Sequence, residues 1–103
     1  MKKIVNGKSY NTETATEICD IGNGLRKGDF KWDDSALYVT KKGAFFLAGE
    51  GGPSSRWARQ HSNMWIEGSG IATLSKGEAL SLAEEHAPTD VIEEFFGDMI
   101  EEA

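Results

Sequence analysis

The sequence predicts an α+β fold: a small, mostly antiparallel sheet of about four to six strands in hairpins and meanders. A short N-terminal helix and two C-terminal helices complete it. Three observations carry this. Two β-rich runs, Ala36-Leu37-Tyr38-Val39-Thr40 and Ala44-Phe45-Phe46-Leu47-Ala48, flank the short loop Lys41-Lys42-Gly43. Asn6-Gly7 sits between two short strand-like segments, which is the strongest short-range hairpin signal. The chain beyond Ser75 changes to helical periodicity and opens with a capping box, Ser75-Lys76-Gly77-Glu78.

Taken in order, Lys2 to Val5 and Lys8 to Tyr10 pair across Asn6-Gly7. Thr14-Ala15-Thr16-Glu17 has capping-box spacing, with Asn11 and Thr12 as alternative caps and Gly22 as a stop, so a helix is expected within 12–21. Gly22-Asn23-Gly24 and Gly28 make a loop, after which Phe30-Lys31-Trp32 alternates as a strand does. The two central strands follow. Gly49-Glu50-Gly51-Gly52-Pro53 is expected to break regular structure, with Glu50 and Arg56 placed to pair across it. Ser54 can cap a single helical turn through Ala58. Met64-Trp65-Ile66 and Gly70 to Leu74 read as strands separated by Gly68-Ser69. The first C-terminal helix runs to about His86 and Pro88 ends it. Thr89 or Asp90 caps the last helix. Its apolar positions Val91, Ile92, Phe95, Phe96, Met99 and Ile100 share one face, and Gly97 weakens it.

At 103 residues the chain is one domain, 1–103, with 39% hydrophobic residues and a modest core. No apolar run approaches the roughly 18 residues of a membrane span. Met1-Lys2-Lys3 is basic, but no apolar stretch follows as a secretory signal requires. The single Cys19, between Ile18 and Ile21, reads as a small core residue in a reducing cytoplasm.

Charge is the functional signal. From Glu78 to Ala103 there are nine carboxylates and no Lys or Arg, while the rest holds eight acids against eleven Lys and Arg. The net charge of −6 is therefore −9 at one end and +3 elsewhere. A face needing only solubility interleaves lysine and gains i,i+4 pairs. Carboxylates three or four apart on a helix lie about 5–6 Å apart, and DNA carries a phosphate per about 3.4 Å of rise on each strand. An acidic helical face is thus a candidate occupant of a basic groove built for a phosphate backbone. Its members are Glu84, Glu85, Glu93, Glu94, Asp98, Glu101 and Glu102. Trp57 and Trp65 are candidate hydrophobic anchors if exposed, although Trp32, Tyr38, Phe45 and Trp57 also read as sheet core.

Alternatives remain open. Phe95, Phe96, Met99 and Ile100 would support a homodimer if the monomer leaves them uncovered. Lys2, Lys3, Lys8, Lys41 and Lys42 offer a weak nucleic-acid surface, though edge lysines commonly guard strands against aggregation. Catalysis has little support. No nucleophile elbow, HExxH pair or CxxC is present, Gly49-Glu50-Gly51-Gly52 lacks the Lys-Ser/Thr of a phosphate loop, and only spacing allows a Cys19, His and Glu triad. A non-enzyme without metal or cofactor is expected.

Several segments together resemble a widespread family of small proteins encoded on phages, plasmids and integrative elements. They are Asn6-Gly7-Lys8-x-Tyr10-Asn11-Thr12-Glu13-Thr14-Ala15, Gly28-Asp29-Phe30 and Leu37-Tyr38-x-Thr40-Lys41-Lys42-Gly43-x-Phe45-Phe46-Leu47. Gly49-Glu50-Gly51-Gly52-Pro53-x-Ser55-x-Trp57-Ala58, Trp65, Gly68 to Ile71 and Leu74-Ser75-x-x-Glu78-Ala79 continue the likeness, to about residue 86. The resemblance implies a mobile-element origin and a site in the cytoplasm of a bacterial host. It also implies kinship with proteins placed among the anti-CRISPR inhibitors. The partner it implies is a basic surface on a CRISPR-Cas effector subunit, bound without direct nucleic-acid contact and away from any membrane. It supplies no catalytic residues, and the acidic last helix lies outside it.

Overall fold

The computed structural model describes residues 1–103 and is an α+β fold with two C-terminal helices and eight strands in three antiparallel sheets, rather than the four to six strands of one sheet expected. The strands are β1 (Lys2–Val5), β2 (Lys8–Asn11), β3 (Thr16–Asp20), β4 (Asp33–Val39), β5 (Phe45–Gly51), β6 (Arg59–His61), β7 (Met64–Ile66) and β8 (Gly68–Leu74). Helices α1 (Lys76–His86) and α2 (Thr89–Phe96) follow, with a 3-10 turn at Gly97–Met99. The central sheet has the order β3-β4-β5-β8, and β1-β2 and β6-β7 are separate hairpins.

The hairpin turns follow local chemistry. Asn6 and Gly7 have φ of 51° and 76°, the left-handed pair that a type I′ turn requires. Gly43 takes φ 89° between β4 and β5. Those two strands pair from Asp33↔Gly51 to Val39↔Phe45, so alternate residues reach opposite faces.

One face carries the main core. Leu37, Phe45 and Leu47 meet Ile18, Ile21, Trp57, Ala79, Ala83 and Phe96 beneath the helices. Phe45 and Phe96 stack with centroids 5.0 Å apart, which docks α2 on β5 and adds about 0.5–1.5 kcal/mol beyond area burial. On the other face Phe46, Ala48 and Ile71 are covered partly by β1–β2, whose Tyr10 meets Phe46 edge-on at 5.6 Å. Tyr38 stacks on Phe46 from β4 at 5.2 Å.

The N-terminal helix expected within 12–21 is absent. Asn11 makes a single turn instead: its Oδ1 accepts from Glu13 N–H, and its carbonyl accepts from Thr14 and Ala15. That side-chain turn uses the donors a helix cap would satisfy. The chain then extends as β3, where β-branched Thr16 and Ile18 suit a strand, and a bulge between Glu17 and Cys19 sends Ile18 into the core.

Three local expectations are also corrected. Phe30 lies in a turn and is 72% exposed, because Asp29 accepts from Lys31 and Trp32 N–H and closes the chain there. Gly49 to Gly51 do not break structure; they extend β5 opposite Ser35 to Asp33, and a Cβ on Gly49 would collide with Asp34 and Ser35, and one on Gly51 with Ser55 and Trp32. Arg56 pairs with Asp33 at 2.7 Å rather than with Glu50, which lies 3.6 Å from Lys27. No helix is long and apolar enough to cross a membrane.

Candidate functional site

The acidic face is carried by α1, α2 and the tail. Ser75 caps α1: its Oγ accepts from Glu78 N–H at 3.1 Å, and Glu78 accepts from Ser75 N–H at 2.9 Å. Those bonds hold the Glu78 carboxyl below its usual range. Pro88 precedes α2 with no side-chain cap, in place of the expected Thr89 or Asp90; Asp90 contributes its charge to the first turn. Gly97 ends α2, as its weak propensity predicts, and the backbone tightens into the 3-10 turn.

Glu84, Glu85, Glu93, Glu94, Asp98, Glu101 and Glu102 are all exposed. One cation reaches this set: Lys76 Nζ donates to Asp98 Oδ2 at 2.5 Å. That hydrogen bond, with the ammonium charge, lowers the Asp98 pKa and ties the tail back to the start of α1. His86 Nε2 lies 3.7 Å from Glu85. The remaining carboxylates have no Lys or Arg within ion-pair distance.

The helices also bring apolar residues to this face. A groove of about 350 Å³ lies between α1, α2 and the tail, lined by Leu80, Ile92, Met99 and Ile100 together with Glu84, Glu93 and Glu101. Met99 and Ile100 are 38% and 45% exposed, whereas Phe96 is fully buried and Phe95 half-buried against the core. The apolar set considered for a dimer is therefore split between the core and this groove. Sequence periodicity identified these residues, but the approach of the tail to Leu80 is a tertiary event.

The two tryptophans separate. Trp57 is not an exposed anchor: it is 9% exposed, lies in the main core, and its Nε1–H donates to Ser35 Oγ at 2.7 Å. A short polar run places it there, because Ser55 Oγ accepts from Trp57 N–H and closes the turn before it. Trp65, on the β6–β7 hairpin, is 61% exposed beside Met64 at 64%. Every residue from Arg59 to Trp65 is exposed, and Ser62 and Asn63 make the turn at φ 48° and 64°.

Two further grooves were not legible from sequence. Lys8, Lys41 and Lys42 line one of about 480 Å³ with Ser9, Thr14 and Thr40, so the two basic turns converge. On the open face of the sheet, Glu17, Asp20, Asp34 and Glu50 line another of about 480 Å³. Asp34 and Glu50 are register partners across β4 and β5, a like-charged pair that nearby Lys27 partly offsets.

Cys19 is half-buried on β3, and burial together with Asp20 and Glu17 raises its thiol pKa. A nucleophilic thiol needs the opposite shift. No group of three or more His, Cys, Asp or Glu side chains is arranged to hold a metal ion. No protein-family model, curated protein or solved structure matches this chain.

Proposed function

We propose that this protein is a non-enzymatic inhibitor from a mobile element, of the anti-CRISPR kind. Its acidic C-terminal face occupies a basic, nucleic-acid-binding surface of a CRISPR effector and excludes target DNA. The observation that carries this reading is the uncompensated acidity of two docked helices and the tail that follows them. Glu84, Glu85, Glu93, Glu94, Glu101 and Glu102 are exposed without a Lys or Arg partner. A capping box at Ser75 and stacking of Phe96 on Phe45 hold Glu84, Glu85, Glu93 and Glu94 on docked helices, and Glu101 and Glu102 follow in the tail. Charge held in place loses less entropy on binding. The resemblance of the Lys41-to-Gly52 stretch to mobile-element proteins supports the setting and makes a CRISPR effector the first partner to test.

A pull-down from a host lysate, read by mass spectrometry, identifies the partner. Competition between this protein and target DNA on the purified partner then tests the mechanism. The charge-reversal variant is E93K/E94K/E101K/E102K, which leaves the Lys76–Asp98 contact intact. It should fold, as circular dichroism would report, and lose competition. Binding of the unaltered protein should weaken steeply with salt. A folded charge-reversed variant that excludes DNA equally well overturns the proposal.

One observation favours a second reading. The convergence of Lys8, Lys41 and Lys42 on a single groove suits a phosphate backbone bound directly. A low-salt gel shift with single- and double-stranded DNA tests it; no complex, or a complex unchanged in K8A/K41A/K42A, removes it.

A further inference from the structure

The acids of the C-terminal face do not sit on an inert surface. Glu84 from α1, Glu93 from α2 and Glu101 from the tail line a groove together with Leu80, Ile92, Met99 and Ile100. A mimic of DNA phosphates alone needs only charge at the right spacing. Here two large apolar side chains that line it, Met99 and Ile100, remain more than a third exposed. The Lys76–Asp98 ion pair anchors the residue just before them, so the tail is held across the helices.

We infer that this groove receives a basic amphipathic α-helix of the partner protein. The apolar stripe of that helix would lie on Leu80, Ile92, Met99 and Ile100, and its flanking Lys and Arg would meet Glu84, Glu93 and Glu101. Charge complementarity selects this occupant over a second copy of the chain. The segment from Glu78 to Ala103 holds nine acids and no Lys or Arg, so two such grooves facing each other would set carboxylates against carboxylates. The inference rests on the acidic face being the binding face, and it adds the kind of element bound there: a helix with apolar side chains rather than a flat cationic surface.

Two labelled synthetic helical peptides of equal lysine content provide the test. One carries leucine at i, i+3, i+4 and i+7, and the other carries glutamine at those positions. Fluorescence anisotropy is measured at low and high salt with the unaltered protein, with M99S/I100S, and with E84Q/E93Q/E101Q. The leucine peptide should bind the unaltered protein about tenfold or more tightly than the glutamine peptide. M99S/I100S, whose changed residues are exposed, should fold and lose that preference while keeping weak, salt-sensitive binding. E84Q/E93Q/E101Q should weaken both peptides. Equal, salt-sensitive binding of the two peptides overturns the groove but leaves the charge-based reading of function standing. An unchanged leucine preference in M99S/I100S, or no binding of either peptide, also overturns it. So does a dimer in sedimentation that M99S/I100S dissolves, because the groove would then belong to a second copy.

Discussion

Trp57, in the turn before β6, and Ser35, on β4, are joined by an indole N–H donating to a hydroxyl at 2.7 Å in the interior. Ser35 Oγ donates onward to Asp33 Oδ1, and Arg56 Nε donates to Asp33 Oδ2 at 2.7 Å. Trp57, Ser35 and Asp33 are each less than one-tenth exposed, and no buried side-chain nitrogen or oxygen lacks a partner. Ser35→Ala strands the indole N–H and one Asp33 oxygen together, and should cost about 1–3 kcal/mol. Arg56→Met leaves the Asp33 carboxylate with one partner and should cost a similar amount. Because both act on Asp33, the double variant should deviate from additivity by about 0.5–3 kcal/mol. Urea denaturation of the four proteins measures this, and strict additivity would contradict the chain of contacts.

Two glycines should respond in opposite directions to alanine. A Cβ on Gly49 would lie 2.5 Å from both the Asp34 carbonyl and Ser35 Oγ, inside the tightest part of the β4–β5 pairing. Gly49→Ala should therefore destabilise by about 1–3 kcal/mol through overpacking. Gly77, in the first turn of α1, has nothing within 4 Å of the added carbon. Gly77→Ala should stabilise by about 0.4–1 kcal/mol, because alanine restricts the unfolded chain at no steric cost. Thermal melts of the two variants distinguish these signs.

The contrast between those glycines shows what was legible in advance. Features decided by a few neighbouring residues could be read: the Ser75–Glu78 capping box, the Asn6-Gly7 turn, and the stop at Gly97. Features decided across the sheet could not. Asn11 offered the same side-chain oxygen to a turn that it would offer to a helix, and the core's demand for Ile18 decided for a strand. The charge of the candidate face was countable residue by residue. Its apolar groove needed the tail to fold back on Leu80, and the loss of Trp57 as an anchor needed Ser35 in register with Gly49.

Acid should loosen the tail before it unfolds the sheet. Asp98 and Glu78 both have pKa values lowered in the folded protein, Asp98 first by its hydrogen bond from Lys76 and Glu78 by its bonds with Ser75. A lowered folded pKa gives stability that is present above the unfolded value and lost as pH falls through the folded one. The loss should therefore begin from roughly pH 4 downward. Lys76→Met removes the cause of the Asp98 shift. It should flatten that part of the acid limb and raise the Asp98 pKa toward the ordinary value in a carboxyl NMR titration. An unshifted Asp98 titration in the variant would show that the ion pair does not hold the tail in solution.

Trp65 should separate surface from core by fluorescence. Trp32 and Trp57 are 4% and 9% exposed, and Trp65 is 61% exposed on the β6–β7 hairpin beside Met64. Acrylamide should thus quench one emitting population readily and leave the buried pair much less affected. Trp65→Ser should abolish the accessible component. It should also leave stability within about 0.5 kcal/mol, as expected for a surface position outside both core clusters. The same variant tests the hairpin's part in binding. If Trp65 anchors the partner, affinity should fall by about tenfold or more, since central aromatic anchors commonly carry 2 kcal/mol or more, with little change in salt dependence. If the helices alone carry binding, affinity should stay unchanged while the E93K/E94K/E101K/E102K variant loses it. Measuring both variants against the purified partner at two salt concentrations assigns the apolar and charged parts of the interface to their separate elements.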